Sequence, residues 1–242
     1  TKTLEKKGAE IIMYFYSASD EPICPITKES TFSKNFANAN WPYYFCWDEY
    51  HASELKKIKH SQNSKLIING PVYFEANKDN LSNLPKKYIV LFDAEPHDVK
   101  NFIGIGTYQD VGYAIESVGV KVIRQMLFDT LKIAKILNIS VVHKPKRDIF
   151  NKRTKAYKKL LTDLSKFDNY ISIDPKFNAY SLIIKAEICI SQPFTSTGLI
   201  AQYANKNSIF YDPLKLVSSY DPAKRNVKLI DNFDELKNYI NN

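Results

Sequence analysis

From Lys87 to its end the chain alternates short apolar runs with longer amphipathic ones, and no other feature constrains its fold as strongly. Residues 88–92, 139–142, 170–173, 187–190, 208–211 and 227–230 read as strands: short, β-branched or aromatic, and bounded by Asp, Asn, Pro or Ser. Residues 121–137, 152–167, 178–186, 195–204 and 233–240 carry apolar side chains at helical spacing. Strands that alternate with helices form a parallel sheet covered by helices on both faces, with right-handed crossovers. Ligands of such sheets sit beyond the carboxyl ends of the strands. Those ends are residues 93–98, 143–147, 174–175, 191–197 and 211–213, and together they predict one polar rim.

The richest of these ends is Ser191-Gln-Pro-Phe-Thr-Ser-Thr197. Pro193 cannot continue a central ladder, so the strand stops there. Thr195, Ser196 and Thr197 suit an N-cap and first turn, with Leu199, Ile200 and Tyr203 as the apolar stripe behind them. Free N–H groups and the positive end of a helix dipole favour an anion such as phosphate. A well-capped core helix accounts for the same residues equally well.

The other ends add candidates, each with a plainer reading. His143-Lys-Pro-Lys-Arg147 places His143, Lys144 and Lys146 where they can meet a phosphate, or opens a solvated basic helix through Lys152, Arg153 and Lys155. Tyr211 and Asp212 can lie beside a base or ribose, or end a strand at Pro213. Asp174 and Asn178 can do the same, or cap a helix. Asp93, Glu95, His97 and Asp98 can hold a general base; a single His among scattered carboxylates has no metal-ligand spacing, so no metal and no cofactor is expected.

Ahead of that half, residues 8–16, 43–47 and 65–69 read as three more strands, with one helix starting at Asp48. The expected organisation is a partial α/β portion over residues 1–75, a polar linker over 76–86, and a Rossmann-like unit over 87–242. Asp48, Glu49 and His51 are of the types that deprotonate a hydroxyl, although Asp48 also suits an N-cap. The balance of 34 basic and 26 acidic residues, net +8, favours anionic partners, including an anionic membrane face. No run approaches the roughly 20 apolar residues that span a bilayer. Three dispersed cysteines form no disulfide framework, which together with an opening unlike a signal peptide points to a reducing, cytoplasmic setting, with peripheral contact at the inner face of the membrane as a further option. Neither a G-x-G-x-x-G fingerprint nor a Walker loop is present.

Pro193-Phe194-Thr195-Ser196, followed by Ser208-Ile-Phe-Tyr-Asp-Pro213, resembles the bacterial polysaccharide-biosynthesis proteins named for a Pro-Phe-Thr-Ser motif. These are similar to GT-B glycosyltransferases that use CMP-activated acidic sugars such as sialic acids or Kdo. The resemblance implies a GT-B-like α/β fold and transfer of a sugar from a nucleotide donor to a glycan or lipid-linked glycan acceptor. It further implies inversion, no metal, and a CMP phosphate held at Thr195, Ser196 and Thr197. In such transferases a His-Pro element holds the phosphate from a second strand; here His143 is followed by Lys144 before Pro145. The base of such enzymes usually comes from the acceptor half, which singles out Asp48, Glu49 and His51. The rival readings are a sugar-nucleotide-processing enzyme such as an epimerase, and a non-catalytic module binding nucleotide or nucleic acid through the basic helix; with the transferase, no nucleic-acid partner is expected.

Overall fold

The computed structural model describes residues 2–15, 41–57, 63–71, 81–94, 119–146, 154–218, 220 and 222–241. Within them, a short helix α1 (Lys2–Glu5) precedes strands β1 (Ile12–Tyr14), β2 (Tyr43–Cys46) and β3 (Lys65–Ile68), with helix α2 (Glu49–Lys56) between β2 and β3. These three strands form a parallel sheet in the order β1-β2-β3. The first strand is shorter than residues 8–16, and α1 had no clear signal in its polar sequence.

The second sheet has six parallel strands: β4 (Tyr88–Phe92), β5 (Ser140–Lys144), β6 (Tyr170–Ser172), β7 (Ile188–Ser191), β8 (Ser208–Tyr211) and β9 (Lys228–Ile230). Their spatial order is β6-β5-β4-β7-β8-β9. The chain winds outward from β4 through β5 to β6, then returns to lay β7 on the other side of β4. Crossovers therefore leave β4 and β7 toward opposite faces, and in sheets of this kind the ligand crevice lies beyond the carboxyl ends of such a strand pair. β5 runs on through Lys144, past the expected end at Val142.

Strand alternation divides the core. Tyr88, Val90, Phe92, Val142, Cys189 and Phe210 face one side, with helices α5 (Ala179–Lys185) and α6 (Ser196–Tyr203). The same core takes in Phe15, Tyr44, Trp47 and Leu55 from the first sheet and α2, so the smaller sheet is packed against this side. Ile89, Leu91, Val141, Ile190 and Ile209 face the other way, under α3 (Val120–Ile136), α4 (Lys155–Leu164) and α7 (Phe233–Asn241). β4 is buried along its whole length, as a central strand covered on both faces should be. Each such aliphatic side chain contributes about 1.5–3 kcal/mol. Local signals set the helix ends: Thr154 caps α4 by accepting from the N–H of Tyr157 at 3.1 Å, and Asn138, in the left-handed region at φ 56°, turns the chain out of α3 into β5.

Candidate functional site

The Pro-Phe-Thr-Ser turn joins β7 to α6 at the crevice between β4 and β7. Phe194 has φ 60°, a region costly for a side chain of this size. Its ring is 4% exposed and lies 5.8 Å from the Phe210 ring, so burial offsets the strain. Phe210 also meets Gly198 in the first turn of α6, where a Cβ would stand 2.3 Å from Phe210 Cε1. Only glycine lets the helix approach β8 this closely. Ser208 Oγ fixes the approach by donating to the Gly198 carbonyl at 2.8 Å.

The turn gathers hydroxyls. Thr195 is the N-cap of α6, yet its side chain takes no first-turn N–H; it donates instead to the Gln192 carbonyl at 2.8 Å. Thr197 Oγ1 lies 2.9 Å from Ser191 Oγ and 3.4 Å from Thr195 Oγ1. Thr195, Ser196 and Thr197 are all half-buried. The positive end of α6 thus faces the crevice through three hydroxyl residues, an arrangement suited to an anion. Gln192 spans the crevice floor, its side-chain oxygen accepting from the Ala94 N–H at the end of β4. The part played by Gln192 was not foreseen, although it stands immediately before the motif.

The basic end of β5 is built differently from the expectation. His143 is fully buried, its Nε2 3.0 Å from Asp93 Oδ2 and its Nδ1 2.8 Å from the Tyr170 hydroxyl. The Tyr157 hydroxyl also donates to Asp93 Oδ2, and the backbone N–H of Lys146 donates to Oδ1 at 3.1 Å. Both ring nitrogens of His143 are therefore engaged inside the fold, and Asp93 ties the ends of β4 and β5 to α4. Lys144 is 8% exposed and donates from Nζ to the Pro175 carbonyl at 2.9 Å, joining β5 to the end of β6. The side chain of Lys146 is exposed at this rim.

Tyr211 likewise points into the helix layer, donating to Asp129 Oδ2 at 2.8 Å; burial, then the Asp129 hydrogen bond and charge, push its hydroxyl pKa upward. Asp212 is buried and accepts from the Val217 N–H at 2.8 Å, closing the turn after β8; burial raises its carboxyl above the usual value against several backbone hydrogen bonds. Asp174 is exposed at the end of β6 and accepts from the Lys176 N–H at 2.8 Å. Asn178 caps α5, accepting from the Tyr180 N–H at 2.8 Å. Glu95, His97, Asp98 and Arg147 lie outside the described residues. Among the described residues no three His, Cys, Asp or Glu side chains gather as they would around a metal.

Asp48, Glu49 and His51 occupy the start of α2. Asp48 is the N-cap, taking the His51 N–H at 2.7 Å. It also receives Arg225 Nε at 2.9 Å and the Tyr203 hydroxyl at 3.1 Å. Burial pushes this carboxyl up, but the Arg225 hydrogen bond and charge, with the His51 N–H and Tyr203, outweigh burial and hold it below its ordinary range. Arg225 also lies over the Tyr50 ring at 4.5 Å, so it binds the edge of the larger sheet to the smaller one. His51 is 3% exposed and its Nδ1 accepts the Trp47 N–H at 3.3 Å; burial, then the Arg225 charge, depress its pKa to about 4 despite Asp48. Glu49 is exposed. Tyr203 is the last residue of the eight-residue α6, so these groups meet the end of that helix opposite the hydroxyl turn, about 12 Å away along its axis.

A family model for polysaccharide biosynthesis PFTS motif proteins matches residues 1–240. The chain belongs to this family. The motif that names the PFTS family is thus the turn whose strained Phe194 and close-packed Gly198 set the start of α6. Among solved structures, the UDP-GlcNAc 2-epimerase of Methanocaldococcus jannaschii, in complex with UDP-GlcNAc and UDP, matches with TM-score 0.50 and 13% identity, over 83% of this chain and 54% of that one. A second structure of that epimerase gives TM-score 0.49 at 13% identity, covering 84% and 55%. The wall teichoic acid polymerase TagF gives TM-score 0.45 at 14% identity, covering 93% and 53%, a likeness too loose to bear on function. No curated protein matches. The PFTS chain spans about half the length of the solved structures it resembles, and its parallel α/β architecture is GT-B-like.

Proposed function

We propose that this PFTS protein is a glycosyltransferase of surface-polysaccharide assembly, with a nucleotide-activated sugar as donor. The observation that carries the reading is the hydroxyl-lined start of α6, held at the crevice between β4 and β7 by Phe194 and Gly198. In this reading Thr195, Ser196 and Thr197 bind the donor phosphate, with the exposed Lys146 after β5 as the candidate cation. The acceptor hydroxyl attacks the anomeric carbon, the bond from that carbon to the phosphate oxygen breaks, and the nucleotide leaves with the charge. The helix start stabilises that charge, so the scheme needs no metal. Asp174, exposed after β6, is the candidate contact for ribose or base. Family resemblance favours a CMP-linked acidic sugar and inversion at the anomeric carbon. Asp48 is engaged by Arg225, His51 is buried, and all three base candidates stand at the end of α6 opposite the hydroxyl turn, about 12 Å along its axis, so none of them is assigned the acceptor proton, which passes to solvent water. Glu49→Gln should then keep both donor affinity and turnover; a hundredfold loss of turnover would return Glu49 to the scheme as the base.

The test of the donor is thermal stabilisation against CMP, UMP, UDP, GDP and dTDP, because a ligand of the folded state raises the melting point by mass action. CMP is expected to give the largest shift, and no shift with any nucleotide overturns the reading. The likeness to a UDP-GlcNAc 2-epimerase favours a second reading, a sugar-nucleotide-processing enzyme. Conversion of UDP-GlcNAc in the absence of any acceptor would select it.

A further inference from the structure

On the side of the six-stranded sheet away from the smaller sheet, α3 and α4 present one continuous basic surface. Along α3 the exposed residues are Lys121, Arg124, Gln125, Lys132, Lys135 and Ile136, with half-buried Phe128 among them. Their spacings of three and four place them on a single helix face. The only carboxylate of α3, Asp129, is turned inward to Tyr211. Lys155, Lys158, Lys159 and Lys166 stand out in the same way along α4 and just after it. An open groove of about 890 Å³ runs between the two helices, lined in part by Arg124, Lys135, Lys166, Phe128 and Phe167. Phe128 and Phe167 meet edge to face at 5.6 Å, which joins the two rows. Two acids share the groove, Asp163, paired with Lys166 at 3.1 Å, and Asp168. Among the described residues these two helices and the turn after α4 carry eight exposed cations against two exposed or half-buried carboxylates, a net of +6.

We propose that the α3/α4 face docks on an anionic phospholipid surface. Seven of the eight cations are lysines, which attract mobile headgroups as point charges and lack the planar fork that reads ordered phosphates or bases. Arg124 is already laid over Phe128 at 5.4 Å. Ile136, 69% exposed among these lysines, is an apolar side chain that can enter the headgroup boundary and that a nucleic acid would not use. Among the described residues no helix is long and apolar enough to cross a membrane. The docking surface itself rests on the helix faces and not on the proposed transfer reaction.

The test is co-sedimentation of the purified chain with vesicles of 70:30 phosphatidylcholine:phosphatidylglycerol at about 0.1 M salt, against pure phosphatidylcholine. Binding is expected only to the anionic vesicles. Since each basic residue near such a surface weakens binding roughly fivefold when removed, the combined change Lys121→Glu, Lys132→Glu, Lys135→Glu and Lys159→Glu should abolish it. Ile136→Ser should weaken it several-fold with no change in charge. The same number of reversals elsewhere, at the exposed Lys56, Lys65, Lys176 and Lys185, should leave most binding intact. Equal loss from both sets, equal binding to the neutral vesicles, or tighter binding to a DNA duplex at the same salt would each overturn the proposal.

Discussion

Gly198 has no room for a methyl group. Its missing Cβ would fall 2.3 Å from Phe210 Cε1, and Phe210 is itself fully buried against Phe194. Gly198→Ala should therefore cost about 1–3 kcal/mol through overpacking, although alanine is ordinarily the better helix former. A urea melt of the variant reads the loss directly, and an unchanged midpoint would mean that the helix start can move. His51 supports a second residue-level prediction. It is held neutral in the fold with its pKa at about 4, whereas its ordinary value is 6.5. Between those values the unfolded chain binds a proton that the folded chain does not, so stability is full above pH 6.5 and falls as pH drops toward 4. The difference is on the order of 3 kcal/mol. His51→Gln should flatten that slope, as measured by urea midpoints at pH 7 and pH 4.5. Asp48, whose carboxyl is held low, would add its own loss only at more acid pH.

At the scale of elements, the chief device is the buried carboxylate of Asp93. It receives the Tyr157 hydroxyl from α4, lies against His143 of β5, and fixes the backbone after β5 through the Lys146 N–H. Asp93→Ala leaves these polar groups buried without their partner and should destabilise by about 3 kcal/mol or more in the same urea measurement. Strands and helices were largely legible because burial on one face or two leaves its period in the sequence: 88–92 is wholly apolar and β4 is wholly buried. The Asp93 device was not legible. Its partners Tyr157 and Tyr170 are 64 and 27 positions from the residues they meet, and nothing local announces such a contact. The basic spacing at 143–147 thus looked like a ligand loop, whereas two of its side chains are spent on holding strand ends together.

Across the whole molecule, the parallel sheet and its helix layers followed from the alternation, but the strand order did not, since spacing does not say which strands pair. That order puts the Ser191–Thr197 stretch beside the end of β4, with Gln192 reaching across to Ala94. The contact of Asp48 with Arg225 lies 177 residues apart in the chain and had no signal in either stretch; it explains why a carboxylate that looked poised for acid–base chemistry is instead engaged between the two sheets. The proposed function requires the hydroxyl turn to bind a nucleotide phosphate. Calorimetric titration of CMP into the wild-type chain and Ser196→Ala tests it most directly. The account predicts saturable binding that weakens about tenfold, or about 1.4 kcal/mol, in the variant. Equal affinity in both chains would contradict it.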